Sequence, residues 1–163
     1  MKHLFVTRHG DYSSSSDRIN DDGRKQMDVL GKAIKQILNG GSAYIMSSTR
    51  PRALDSSGVL AVQLALPEEF EHIPYLCSGA DAPNDSYEWD SCRERLGKLM
   101  GLVDERRERA DGIIMVTHLE VARDFPSYFL EKEFDEKKII GEIRKGQSIH
   151  FDLEQKNYQI LPK

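Results

Sequence analysis

Three stretches of the chain end in residues that could do chemistry together. The apolar run 3–7 (HLFVT) stops at Arg8 and His9. A second run, 43–47 (AYIMS), leads into SSTRPR with Arg50 and Arg52, and a third, 112–118 (GIIMVTH), closes on Thr117 and His118. Guanidiniums present planar forks that suit the non-bridging oxygens of a phosphoryl group, and they stay charged at any working pH. A neutral imidazole is a competent nucleophile toward phosphorus and would give a phosphohistidine intermediate. A second imidazole, when protonated, adds a donor to the equatorial oxygens as their charge redistributes. No step of that chemistry needs a metal. A zinc reading is poor, because His9 and His118 would need further ligands and the arginines would repel a cation.

Singly, these residues have plainer readings. A lone His at a strand end is ordinarily a hydrogen-bonded structural residue, and Arg50 or Arg52 alone is ordinarily a solvated helix-start residue or an ion-pair partner. The case for a site rests on convergence, which the surrounding elements must supply. The short continuous runs at 3–7, 43–47 and 112–118 have the pattern of strands buried on both faces. From Asp22 to Leu38, the residues Met27, Leu30, Ile34, Ile37 and Leu38 fall on one helical face, and Gly40-Gly41 ends that helix. Pro51 suits the first turn of a second helix reaching to Leu66, whose apolar stripe reads as Leu54, Gly58, Ala61, Val62 and Ala65. The stretch 70–76 (FEHIPYL) reads as a third strand that Pro74 confines to an edge or ends early. Cys77 to Asp85 is loop, Tyr87 to Arg109 a long amphipathic helix, and Glu120 to Leu130 a further helix. The tail alternates Ile149, Phe151 and Leu153 against His150, Asp152 and Glu154, which predicts a half-buried hairpin with His150 on its polar face.

Alternating strands and helices predict a three-layer α/β/α sandwich with a mostly parallel central sheet. In such sheets ligands bind outside the carboxyl ends of the strands, near exposed helix N-termini. Arg8, His9, Arg50, Arg52 and His118 would then share one rim, while His3, His72 and His150 lie within strands and off it. The chain has 163 residues, no internal repeat and no linker, so residues 1–163 are expected to form one domain.

Composition removes other classes. With 39% hydrophobic and 31% charged residues the chain has a globular profile. A net charge of −4 argues against a nucleic-acid partner, so any anionic substrate must be drawn by a local cluster of cations. Cys77 and Cys92 are too few and too scattered for a disulfide framework or a metal site. The short apolar run before Arg8 is neither a signal-peptide core nor a membrane span, which predicts a cytoplasmic protein without a membrane partner.

Arg8-His9-Gly10 after a first strand resembles the signature of the histidine phosphatase superfamily, also called phosphoglycerate mutase-like. Three further blocks agree in order and spacing. INDDGRKQMDVLGKAI (19–34) is similar to L-T-x-x-G-x-x-Q-A-x-x-L-G, with Gly23, Gln26, Leu30 and Gly31 in register. SSTRPRALDSS (47–57) is similar to S-P-x-x-R-A-x-Q-T, which assigns the second arginine to Arg52. IIMVTHLEVAR (113–123) is similar to the closing V-x-H block and gives His118. The resemblance implies a phosphoglycerate mutase-like fold, with His9 as the phosphorylated nucleophile and Arg8, Arg52 and His118 completing the phosphate pocket. It implies no cofactor, and as partner a phosphorylated small molecule or a phosphoprotein. The compact segment between Arg52 and His118, and Asp after the Gly, look more like the short SixA-type phosphohistidine phosphatases than like the mutases.

The chain departs from the family pattern at three places. Ser47-Ser48 stands where many members have S-P, and Leu119-Glu120 follows the second His. Where the family's general acid usually sits, in an L-x-E setting, this chain has Leu76-Cys77-Ser78. Asp81 is the nearest replacement, with Asp85 and Glu88 further along. A phosphoramidate expels imidazole, which needs less help from an acid than an alkoxide does, so the missing Glu leans toward an activated substrate such as a phosphohistidine protein. The alternatives are a phosphate-binding regulatory module with little or no turnover and, third, a mutase-type phosphotransferase.

Overall fold

The computed structural model describes residues 1–67, 70–77 and 92–162. Its main sheet has six strands: β1 (His3–Arg8), β4 (Ala43–Ser47), β5 (Glu71–His72), β6 (Gly112–Thr117), β7 (Ser148–Asp152) and β8 (Asn157–Leu161). They lie in the order β5-β4-β6-β1-β7-β8. β5, β4, β6 and β1 run parallel, and β7 and β8 are antiparallel to their neighbours. Period-two alternation divides the core between the two faces. Phe5, Ile45, Ile114 and Val116 face helices α1 (Asp21–Leu38) and α2 (Pro51–Leu64) and pack with Met27, Leu30, Ile34 and Leu60. Leu4, Val6, Ile113 and Met115 face α3 (Cys92–Asp104) and α4 (Leu119–Phe134) and pack with Leu99, Val103, Phe125 and Phe129. The result is the expected three-layer sandwich with a mostly parallel sheet.

Local chemistry sets the helix ends. Asn20 caps α1, its Oδ1 accepting from the Gly23 amide at 2.8 Å, with Asp21 and Asp22 in the first turn. Pro51 opens α2 behind Arg50, whose extended backbone (φ −76°, ψ 140°) is the usual conformation before proline.

Several expectations are corrected. The third strand is only Glu71–His72, and Pro74–Leu76 forms a 3₁₀ turn instead. The buried face of α2 is Arg52, Ala53, Ser56, Ser57, Leu60 and Ala61 rather than a stripe through Leu54 and Val62, and Val62 is exposed. Two serines can sit inside because their hydroxyls donate to the carbonyls one turn back, Ser56 to Arg52 at 2.7 Å and Ser57 to Ala53 at 2.9 Å. The tail hairpin has no solvent face at His150. β7 pairs with β1 on its other edge, Phe5 opposite His150, so the imidazole is 3% exposed and stacks on the Phe5 ring at 4.7 Å. Within the serine-rich loop a small hairpin forms, β2 (Tyr12–Ser13) with β3 (Arg18–Ile19), which the sequence did not announce. Among the described residues no helix is long and apolar enough to cross a membrane.

Candidate phosphate-binding site

Register brings the three strand ends level. Arg8 lies opposite Thr117 and Ser47 opposite Val116. The ladders continue one residue past the strands, with His9 N–H donating to Thr117 O at 3.0 Å and Ser48 N–H to Val116 O at 2.9 Å. His9, Ser48 and His118 therefore sit side by side at the carboxyl edge, beneath the N-terminus of α2. The tip of β1 also crosses the first turn of α1 very closely. A Cβ built on Gly10 would lie 2.6 Å from the Gly23 carbonyl oxygen, and one on Gly23 would lie 2.0 Å from Asp11 O. Two glycines far apart in sequence are thus required by one contact.

His9 is 4% exposed. Its Nδ1 is 2.8 Å from Gly10 O and its Nε2 is 3.2 Å from Arg52 Nε. A carbonyl only accepts and a guanidinium only donates. Both bonds together therefore require the neutral tautomer, with the proton on Nδ1 and the lone pair on Nε2. Burial lowers the His9 pKa to about 4, and Arg52, Arg8 and Lys145 push it the same way against the Gly10 carbonyl. His118 is 2% exposed, its ring centre 5.0 Å from that of His9, and its Nε2 lies 2.7 Å from Ser48 Oγ. Ser48 Oγ is also 3.3 Å from the buried Cys77 thiol.

The cations gather around these rings. Arg52 is 7% exposed, donates Nη1–H to Asp17 Oδ1, and sits 4.9 Å from the centre of the Tyr12 ring. Arg50 Nη2 lies 3.1 Å from Asp17 Oδ2. Arg8 donates Nη1–H to Ile143 O at 3.0 Å, which turns it toward the segment before β7. That segment also supplies Lys145, which is 3.0 Å from Asp11 Oδ1 and 4.7 Å from the centre of the Tyr12 ring. Gln26 fixes Asp11 from α1, accepting its amide at 2.9 Å and donating to its Oδ2 at 2.7 Å. Lys145 and Gln26 together hold the Asp11 carboxyl below the usual carboxylate range.

The structure thus brings together Arg8, His9, Arg52 and His118, with Arg50, also expected on this rim, reaching the same Asp17 carboxylate as Arg52. Asp81, with Asp85 and Glu88, lies outside the described residues. Sequence reasoning missed Asp17, Tyr12, Lys145 and Ser48 as neighbours of the site. Tyr12 and Ser48 adjoin matched motifs and could have been found there, whereas Lys145 carries no local signal. Among the described residues no group of three or more His, Cys, Asp or Glu could hold a metal ion. Three arginines and a lysine clustered around a neutral imidazole could hold an oxyanion beside the imidazole nitrogen.

No protein-family model matches the sequence, and no curated protein matches it. Solved structures do. The protein histidine phosphatase SixA complexed with tungstate is 17% identical, with a TM-score of 0.63 over 97% of this chain and 93% of that one. A mycobacterial glucosyl-3-phosphoglycerate phosphatase complexed with VO3 is 14% identical, with a TM-score of 0.67 over 98% of this chain and 97% of that one. The putative phosphohistidine phosphatase SixA from Agrobacterium tumefaciens is 12% identical, with a TM-score of 0.61 over 99% of both chains. Near-complete coverage at such low identity shows a shared framework: the chain has the phosphoglycerate mutase-like fold that these phosphatases also have.

Proposed function

We propose that the chain is a phosphatase of the histidine phosphatase superfamily that works through phospho-His9. The observation that carries this reading is the enforced tautomer of His9, which keeps the Nε2 lone pair facing the Arg52 guanidinium in a buried pocket. The four sequence blocks support it, as does the fold shared with SixA and other phosphatases. In the first step Nε2 attacks phosphorus in line with the leaving group; the N–P bond forms as the bond to the leaving group breaks. Arg52 and Arg8 neutralise the non-bridging oxygens, and His118, oriented by Ser48, donates to them as charge moves. The leaving group takes a proton from an acid, for which Asp81 is the candidate on sequence grounds, or departs as an imidazole that needs less help. Water then attacks phospho-His9, giving inorganic phosphate and the free imidazole. The substrate is a phosphohistidine protein or a small phosphomonoester, and no metal takes part.

The experiment is brief incubation with a labelled phosphodonor followed by acid and base quenching. Acid-labile, base-stable label on the wild type, absent from His9→Ala, is the expected result. Full phosphatase activity in His9→Ala would sink the proposal. Stoichiometric phosphate binding without label or turnover would assign the chain to the regulatory-module alternative.

A further inference from the structure

The β2–β3 hairpin places a carboxylate where a phosphoryl group would have to bind. Asp17 Oδ1 accepts from Arg52 Nη1, and Oδ2 pairs with Arg50 Nη2 at 3.1 Å. Two oxygens of one anion thus bridge the guanidiniums of Arg50 and of Arg52, the second of which also holds His9 Nε2, in the manner of two non-bridging phosphoryl oxygens. Among the described residues Arg52 donates to Asp17 Oδ1 and to His9 Nε2, and a bound phosphoryl group must take both places.

The carboxylate is held there by hydrogen bonding through one oxygen only. Its Oδ2 is buried, yet among the described residues it accepts no aligned hydrogen bond, so its pairing with Arg50 is charge attraction alone. Asp17 itself has a left-handed backbone (φ 55°), and its amide closes a turn onto Ser13 O at 2.9 Å. The hairpin has two residues per strand and exposed serines at its tip, Ser14 to Ser16. Beyond the site it is tied to Asp55 on α2 by Arg18 at 2.7 Å and by the Ile19 amide at 3.3 Å. With the Ile19 side chain buried and the Asn20 amide bonded to Asp11 O at 3.0 Å, the part of the hairpin free to yield is its turn, Ser14 to Asp17.

We propose that Asp17 is a resident competitor for the oxyanion site and sets its affinity: a phosphoryl group enters by displacing this carboxylate, which returns as product phosphate leaves. This rests on the reading of Arg52 and His9 as a phosphate pocket. A competitor within the chain weakens every incoming anion by the fraction of molecules in which the site is open. Weakly held monoanions, external carboxylates among them, are carried out of binding range. A phosphoryl dianion, which brings a further charge and a third oxygen, stays within it.

The test is calorimetric titration of inorganic phosphate into the wild type, Asp17→Asn, Asp17→Ser and Arg52→Gln, each checked for a cooperative melt. Loss of one charge-assisted competitor predicts about tenfold tighter phosphate binding in both Asp17 variants. The two variants guard against a local fault in either one. Unchanged or weaker binding in both would overturn the proposal, and weaker binding would make Asp17 an orienting residue for Arg52. Arg52→Gln separates the two levels. If it binds phosphate as the wild type does, the pocket itself is misassigned; if it loses binding, the Asp17 result stands on its own.

Discussion

Arg52 donates its Nε–H to His9 Nε2, the nitrogen proposed as the nucleophile, across 3.2 Å. The contact cannot form with a protonated imidazole, because both partners would then be donors. It therefore ties the pocket to the neutral ring, and burial with three nearby cations places the His9 pKa at about 4. The acid limb of kcat/KM should fall near pH 4 to 5 rather than at the ordinary histidine value of about 6.5. Lys145→Gln removes one of the cations and should move that limb upward. The ring titration of His9, followed by NMR in both proteins, checks the shift directly. An acid limb at the ordinary histidine value in the wild type would contradict it.

Ser48 and His118 are the second such pair, joined at 2.7 Å. The hydroxyl is buried and also faces the Arg50 amide at 3.3 Å, so it fixes the imidazole against the start of α2. On the proposed mechanism Ser48→Ala should lower kcat by about tenfold to a hundredfold, the cost of losing one hydrogen bond that orients the His118 imidazole toward the phosphoryl oxygens. Phosphate affinity should change far less, since Arg8 and Arg52 are untouched. Steady-state kinetics and phosphate titration on the same variant make the comparison, and an equal loss in both would point to a collapsed pocket instead.

The contact between Gly10 and Gly23 gives a prediction about stability. At Gly23 an added methyl would stand 2.0 Å from the backbone of Asp11, which cannot yield as a flexible side chain can. Gly23→Ala should destabilise the protein by about 1–3 kcal/mol and disturb His9 with it. Gly58 in α2 is the contrast, with nothing within 4 Å of the added carbon. Gly58→Ala should stabilise by up to about 1 kcal/mol through helix propensity alone. Urea denaturation of the two variants should give opposite signs.

Much of this site was legible in the chain because each part lies at the end of an apolar run. His9, Arg52 and His118 follow strands or open a helix, and parallel register then brings them level. Gly23 and Gln26 were legible as a motif, although their purposes, clearance for Gly10 and a double grip on Asp11, needed coordinates. Asp17 and Lys145 were not legible. The first sits at the end of a serine run that reads as plain loop, and the second reaches the site only because β7 docks against β1, a pairing between distant segments. The same pairing explains the misreading of His150. Alternation in the tail is real, but β7 lies beside β1, so His150 falls on the same face as Phe5 and His3 and is covered by them. A period-two pattern reports polarity, and burial depends on what lies opposite.

That buried face carries a pH dependence of stability. His150 Nε2 lies 3.1 Å from His3 Nδ1 and its Nδ1 lies 3.2 Å from Gln159 Nε2, with Phe5 stacked against the ring. Burial lowers the His150 pKa to about 4, and the neighbouring His3 pushes it the same way. In the unfolded chain the ring binds a proton near pH 6.5, whereas in the fold it stays neutral until about pH 4. Between those values the unfolded state binds more protons, so stability falls as pH falls, and below pH 4 the contribution is flat. His9, with its pKa also near 4, acts in the same window and the same direction. Each group can contribute a loss of up to about 3 kcal/mol between pH 6.5 and 4. Denaturation of the wild type and His150→Gln across that range measures the difference: the variant should be less stable at pH 7 yet show a shallower decline. An equally steep decline in both would remove His150 from the account and leave the slope to His9 and the carboxylates.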